Sequence, residues 1–298
     1  MTAIQRLLVP LDGSGLAEAA VGLAAFLARR LGAELVLLHI VERRPPERVH
    51  GEPHLRTVAE AEAYLERVAA RLKEQGVTAR THVHAGPEVD VAAAIAAHLP
   101  EQAGDLIVMS THGRGGMRGW VLGSIAHQVV RRRCPVLLVN PETPGGPPEA
   151  VSRVVVALDG TPTGEAALPL AAAIAAGCGL PVRLVTVVPS VGALGPEKRP
   201  VATFLPGATA AMLDLEVGAA ADYLRDTAER LKAGFRVDVS YEVRRGDPVS
   251  ELVKVSGRDV LLAMATRGRY GLAGLWEGSV SARVLAASRG PVLLVPAM

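Results

Sequence analysis

Two stretches of the chain carry residue types spaced as if to hold an anion. Thr111 to Ser124 reads THGRGGMRGWVLGS and Thr266 to Ser279 reads TRGRYGLAGLWEGS; seven of the fourteen positions are identical, and four of those seven are glycine. Both contain Gly-x9-Gly-Ser, from Gly113 through Gly123 to Ser124 and from Gly268 through Gly278 to Ser279, ending where a helix is expected to start. Glycine costs backbone entropy unless unusual dihedrals or a close approach require it. Backbone N–H groups at a helix N-terminus, reached through glycines, make an anion site. Ser124 and Ser279 each add a hydroxyl there. Serine also serves as a plain N-cap, but capping alone does not call for Gly113, Gly115, Gly116, Gly119 and Gly123 in one loop.

The elements that must position these loops are themselves repeated. LLVPLDGSGLAEAA from Leu7 answers VVVALDGTPTGEAA from Val154, setting Asp12 against Asp159, and PVLLV occurs at Pro135 and again at Pro291. The offsets are 147, 155 and 156 residues, too long for a solenoid unit and right for a whole domain. Two homologous domains are expected, residues 1–143 and 150–298, joined by a Pro/Gly linker over residues 140–150.

Within the first half, short apolar runs alternate with helical periods. Strands are expected at Leu7–Leu11, Glu34–Val41, Val77–His84, Asp105–Met109 and Val136–Val139. Helices are expected at Leu16–Leu31, Val58–Gln75, Val89–Leu99 and after Ser124. The second half repeats the order, with a longer loop from Pro189 to Pro206. This is an α/β pattern: two tandem Rossmann-like domains, each a five-stranded parallel sheet of order 3-2-1-4-5 with helices on both faces. In that order the topology reverses between the first and fourth strands, and ligands of open α/β sheets bind beyond the carboxyl ends at the reversal. Asp12 follows the first strand and the glycine-rich loop follows the fourth, so the two most strongly repeated stretches meet where a ligand belongs. The terminal PVLLV strands are apolar sheet edges, a liability unless covered; antiparallel pairing of Val136–Val139 with Val292–Val295 would remove both and make the chain an intramolecular pseudo-dimer. A further homodimer is not readable from the sequence.

Composition narrows the function classes. Hydrophobic residues make up 49% and charged residues 21%, as in globular domains, while aromatics at 3% leave the cores to Ala, Val and Leu. A net charge of +2, with no basic stripe interleaved with aromatics, gives no field for nucleic acid. Arg131, Arg132 and Arg133 fall where a helix should end, which favours cations. Cys134 and Cys178 occupy non-equivalent places in the repeat, which speaks against a bridge or metal site and for a reducing compartment. The N-terminal apolar run is too short for a signal peptide and no stretch is long enough to span a bilayer, so the expected location is cytoplasmic, with no membrane partner.

The glycine loop, the Asp after the first strand and the terminal PVLLV together resemble the universal stress protein family, over essentially all of both halves. The resemblance implies a tandem two-domain member of the ATP-binding branch, whose motif is Gly-x2-Gly-x9-Gly-(Ser/Thr). This chain departs from it at the first glycine, where Ser110 and Ala265 stand. By that resemblance Asp12 and Ile40 contact adenine, Pro10, Met109 and Ser110 line the ribose side, and Gly113, Gly123, Ser124, Ile125 and Ala126 wrap the phosphates. In the second half the matching positions are Asp159 and Val187, then Ala157, Met264 and Ala265, then Gly268, Gly278, Ser279, Val280 and Ser281. The implied ligand is ATP, with Mg²⁺ as companion ion. Glu277 directly precedes Gly278, where the first half has Leu122; a carboxylate facing a triphosphate is unfavourable unless a metal or a base such as Arg269 lies between, which makes the first site the stronger candidate.

Enzymatic readings are thin. There is no Gly-x4-Gly-Lys-(Ser/Thr), no Gly-x-Ser-x-Gly and no His-Glu-x-x-His, and no catalytic residue is assigned. His39, matched by Thr186, reads as a core histidine. His82 and His84 share one face of a strand and HGEPH is a polar loop; either could ligate a metal, but no third Cys or His is evident, and no metal site is assigned. Cys134, before Pro135, is expected to pack at the start of a strand. Three functions remain: a non-catalytic ATP-binding stress-response regulator or sensor, favoured by loop and topology; an interaction scaffold without nucleotide; and a slow ATP-hydrolysing enzyme.

Overall fold

A computed structural model describes residues 4–43, 45–49, 51–86, 90–101, 105–111, 124–143, 145–194, 204–266 and 279–297. The first half runs β1 (Arg6–Pro10), α1 (Gly15–Glu18), α2 (Val21–Leu31), β2 (Glu34–Val41), a small hairpin of β3 (Arg48–Val49) and β4 (Glu52–Pro53), α3 (Val58–Glu74), β5 (Ala79–Ala85), α4 (Val91–Glu101), β6 (Leu106–Ser110), α5 (Ser124–Arg131) and β7 (Val136–Val139). The second half runs β8 (Arg153–Leu158), a 3-10 turn (Gly164–Ala167), α6 (Leu168–Cys178), β9 (Val182–Val188), α7 (Pro206–Phe235), β10 (Val239–Arg245), α8 (Pro248–Val255), β11 (Val260–Thr266), α9 (Val280–Ala287) and β12 (Val292–Pro296).

Each half has the expected strand order, and the halves are fused edge to edge. One ten-stranded sheet runs β10-β9-β8-β11-β12-β7-β6-β1-β2-β5. Every neighbouring pair is parallel except the central one, where β12 and β7 are antiparallel with Leu293 opposite Leu137. The expected pairing of the two PVLLV strands is therefore present, and both would-be edges are inside the sheet. Side chains alternate across the strands, so each sheet face carries its own apolar layer. One layer packs β-strand residues against α2, α3, α6 and α7; the other packs them against α4, α5, α8 and α9. Both layers pass through the β7–β12 seam without interruption: Leu137 and Leu293 belong to the first, Leu138 and Leu294 to the second.

Local chemistry explains the departures from the expected elements. The helix read over Leu16–Leu31 is two helices, because the chain turns at Ala19–Ala20 after a first turn capped by Ser14, whose Oγ accepts from Ala17 N at 3.2 Å. The helix expected from Val89 starts at Val91, behind Asp90, which accepts from Ala93 N at 2.9 Å. In the segment after β2, where only a loop was expected, Gly51 at φ +85 turns the β3–β4 hairpin. α5 ends at Arg131, and Arg132 and Arg133 form the turn that follows, with Arg133 left-handed and Arg132 paired to Asp90. Cys134 is half-buried against the second apolar layer just before β7, and burial pushes its thiol up from the ordinary value.

The repeat extends to polar anchors that the sequence reading passed over. Glu18 accepts from Tyr64 Oη at 3.0 Å and pairs with Arg71 at 2.5 Å; Glu165, its counterpart, accepts from Arg230 at 3.0 Å. Each carboxylate ties the element after the first strand to the long helix after the second.

Leu293→Ala removes a fully buried side chain at the seam and is expected to cost about 2–5 kcal/mol. Because the apolar layers are continuous, hydrogen exchange should quicken in β6 as well as in β11. Acceleration confined to the second half would show that the two halves are energetically separate.

Candidate functional site

In each half the ladder registers bring the predicted strand residues to the carboxyl ends of the strands, and because β7 and β12 are antiparallel the two sets lie at opposite ends of the sheet. Leu8 pairs with Ile107 and Pro10 with Leu38, so Pro10 lies level with Met109, and Ile40 lies level with Asp12. In the second half Ala157 pairs with Val185 and Val156 with Ala263, which sets Ala157 level with Met264 and Asp159 level with Val187. Ile40, Met109 and Ala126 belong to the apolar layer under α4 and α5, and Met264 belongs to its continuation, with Ala157, Val187 and Ile125 packed partly buried against it. Ser110 and Ala265, one residue further along their strands, turn towards the opposite face; Ser110 is buried and Ala265 half-buried.

The two aspartates are held the same way. Asp12 Oδ1 accepts from Ser14 N at 2.9 Å and from Ser14 Oγ at 2.6 Å. Asp159 Oδ1 accepts from Thr161 N at 3.1 Å and from Thr161 Oγ1 at 2.5 Å. Each is an Asx turn, in which a short carboxylate folds back on the backbone two residues on. The intervening Gly13 and Gly160 have φ of +92 and +75, a region that side-chain-bearing residues rarely adopt. The Asp-Gly pair thus fixes a carboxylate at the carboxyl end of the first strand of each half, next to the strand-order reversal. A carboxylate offers about four lone-pair sites, so the turn engages part of its accepting capacity.

The first of these turns is the more enclosed. Leu55 packs against Gly13, so that a Cβ there would lie 2.9 Å from Leu55 Cγ, and the Glu52 carboxylate accepts from Gly15 N at 3.2 Å. Asp12 is half-buried, whereas Asp159 is exposed. Beneath the first turn lies His39, 2% exposed, whose Nδ1 donates to the Leu11 carbonyl at 2.7 Å. Burial holds its pKa below the ordinary value, against the pull of that carbonyl. His39 is thus a core histidine, satisfied at Nδ1. His54, the last residue of HGEPH, is buried with its ring centroid 5.9 Å from that of His39.

At the helix starts, the backbone of Ser124 opens α5, with Ile125 and Ala126 in its first turn. Ser279 caps α9: its Oγ accepts from Ala282 N at 3.2 Å and lies 3.2 Å from Ser281 Oγ, while Val280 is exposed. Gly113, Gly123, Gly268, Gly278 and Glu277 lie outside the described residues.

The third member of one group escaped the sequence reading. His82 and His84 do share a face of β5, and the third imidazole that no spacing revealed is His98, on α4. No local period links residues of an edge strand to the far end of the next helix; only the packing of α4 on the sheet brings them together.

Residues 3–140 and again residues 150–296 match the sequence model of the universal stress protein family. The chain is 31% identical over 196 residues to the universal stress protein Rv2005c of Mycobacterium tuberculosis, 64% of this chain and 61% of that one, so it spans less than two thirds of that relative's length. It is likewise 31% identical to the universal stress protein YxiE of Bacillus subtilis, over 45% of this chain and 98% of that one. Among solved structures, a universal stress protein from Archaeoglobus fulgidus has a TM-score of 0.66 at 18% identity, covering 98% of this chain and 96% of its own. One described as a putative universal stress protein from Pseudomonas aeruginosa has a TM-score of 0.63 at 18% identity, covering 99% and 94%; at such identity these two speak for the fold. Two consecutive family matches over two like-folded halves carry the conclusion that this chain belongs to the universal stress protein family, as a tandem two-domain member.

Proposed function

We propose that the chain is a non-catalytic adenine-nucleotide-binding regulator, with the first half as its principal site. The observation that carries the reading is the pair of Asx-held aspartates, Asp12 and Asp159, at the carboxyl ends of β1 and β8 beside the strand-order reversal. A carboxylate anchored there, half-buried in the first half, is suited to accept from the exocyclic amine of adenine, a donor that guanine lacks at that position. Ile40 and Met109 supply the apolar wall that a base requires, and glycine-flanked helix starts suit phosphates. The enclosure of the first turn by Leu55 and Glu52 favours that half.

ATP with Mg²⁺ is the ligand of choice in this reading. Asp12, Ile40, Pro10, Met109 and Ser110 would face base and ribose, and Gly113, Gly123, Ser124, Ile125 and Ala126 the phosphates. Asp159, Val187, Ala157, Met264, Ala265, Gly268, Gly278, Ser279, Val280 and Ser281 play the same parts in the second half. A regulator that reads nucleotide need not turn it over, and no side chain described near the site stands as a general base for water.

The test is direct. Purified protein, denatured and chromatographed, should release adenine nucleotide; protein that carries none and takes up none in calorimetry is a scaffold instead. Asp12→Asn keeps the Oδ1 acceptor of the turn and replaces the other oxygen by a donor. It should weaken ATP relative to GTP by roughly 10- to 150-fold, the equivalent of about 1.5–3 kcal/mol for a charge-assisted hydrogen bond. Equal effects on both nucleotides would remove Asp12 from the base site.

With Mg²⁺ present, single-turnover hydrolysis should stay far below about 1 s⁻¹, the low end of common enzymatic rates. Multiple turnover at or above that rate, lost in Asp12→Asn, would promote the enzyme reading.

A further inference from the structure

The geometry points to a divalent metal site of the zinc class at the outer edge of the first half, formed by His82 and His84 of β5 and His98 of α4. One ligating nitrogen from each of the three lies within 4.8 Å of the others. The His98 ring centroid is 5.0 Å from that of His82 and 4.6 Å from that of His84. His98 is 3% exposed and the two strand histidines are half-buried, so the cluster is partly withdrawn from water yet reachable from the sheet edge.

The backbone sets this arrangement. Register pairs His82 with Leu38 and His84 with Ile40. Both partners belong to the apolar layer under α4, and side chains in register share a face, so the two imidazoles point towards the helix that carries His98. The orientation of His98 is also fixed. Its Nδ1 lies 2.7 Å from the Ala94 carbonyl, which can only accept, so Nδ1 carries a proton and Nε2 is the nitrogen that would ligate a metal. A metal-ligating histidine characteristically donates its other N–H to a carbonyl or carboxylate in this way.

Tetrahedral coordination at about 2.0–2.1 Å places ligand nitrogens about 3.3 Å apart. Closure from the present spacing takes about 1.5 Å or less, within reach of side-chain rotation for half-buried residues. Three imidazoles and an open fourth position suit Zn²⁺ and its borderline neighbours rather than Ca²⁺ or Mg²⁺, which take oxygen.

The second half shows what the same place holds when the cation is built in. Glu242 pairs with Val185 and Arg244 with Val187, so they stand where His82 and His84 stand. The Arg244 guanidinium is held there by Glu242 at 2.6 Å and by Glu251 of α8 at 2.8 Å, and these carboxylates push its pKa up. Between the outermost strand and the following helix, one half thus carries a fixed side-chain cation and the other a set of imidazoles suited to hold one.

The experiment is titration of the full chain, without nucleotide, by ZnCl₂ in calorimetry and by CoCl₂ in absorption. One Zn²⁺ per chain is expected, with a cobalt spectrum of tetrahedral intensity. His82→Gln and His84→Gln should each weaken binding at least about tenfold, since even loss of an outer partner of a ligand costs about 10–100-fold. His82 and His84 are half-buried at an edge, so both variants are expected to keep the parent's circular dichroism and can be compared with it directly. Absence of stoichiometric binding at neutral pH, or an affinity unchanged in the His82→Gln/His84→Gln double variant, overturns the site. Neither outcome depends on whether the chain binds nucleotide.

Discussion

The antiparallel pairing of β7 with β12 is the contact on which the rest of this molecule depends. Both strands are short, and all four residues of Val136–Val139 are buried. Left unpaired, each would present apolar side chains and open backbone groups at an edge. Joined, they make two five-stranded sheets into one and let the apolar layers on both faces run through the junction. Because the join is antiparallel, the halves are related by a rotation, and their strand-order reversals fall on either side of the seam. The tandem chain is thereby its own dimer.

The same duplication provides an internal control on what each half needs. Features held in both halves are the ones the architecture requires: the Asp-Gly turn after the first strand and the carboxylate that anchors the long helix to the element after that strand. Features that diverge show where the halves are free to specialise. Gly290, where a Cβ would lie 2.0 Å from the Gly257 carbonyl oxygen, has Cys134 as its counterpart. Three histidines at the outer edge of one half correspond to an Arg–Glu cluster at the opposite edge, in the other half. The segment after the second strand packs over the first turn as a hairpin with Leu55 and Glu52, while the described residues of the corresponding segment in the second half form a 3-10 turn over Val191–Ala193 and then the thirty-residue α7. The two candidate sites therefore share a frame and differ in enclosure.

Among the described residues no helix is long and apolar enough to cross a membrane, and the apolar surface is spent instead on the two layers against the sheet. With few aromatics available, those layers are made mainly of Leu, Val, Ile and Ala. Such side chains pack a parallel sheet efficiently on both faces, and the candidate sites lie at strand ends and at an outer edge.

Much of this was legible in the sequence because it is local or repeated. Apolar runs alternating with helical periods specify parallel strands and crossovers, the handedness of crossovers restricts strand order, and a motif written twice marks Asp12 and Asp159 without any structure at all. Even the seam could be anticipated, since two identical PVLLV edges have an obvious use for one another. What sequence could not show is whatever depends on distance between elements. The break at Ala19–Ala20, the turn-bound state of the aspartates, the burial of His54 beside His39 and the arrival of His98 at His82 and His84 all arise from packing. A helix and a strand each follow from their own residues; which side chain of one meets which side chain of the other is decided only when the apolar layer closes and sets their register.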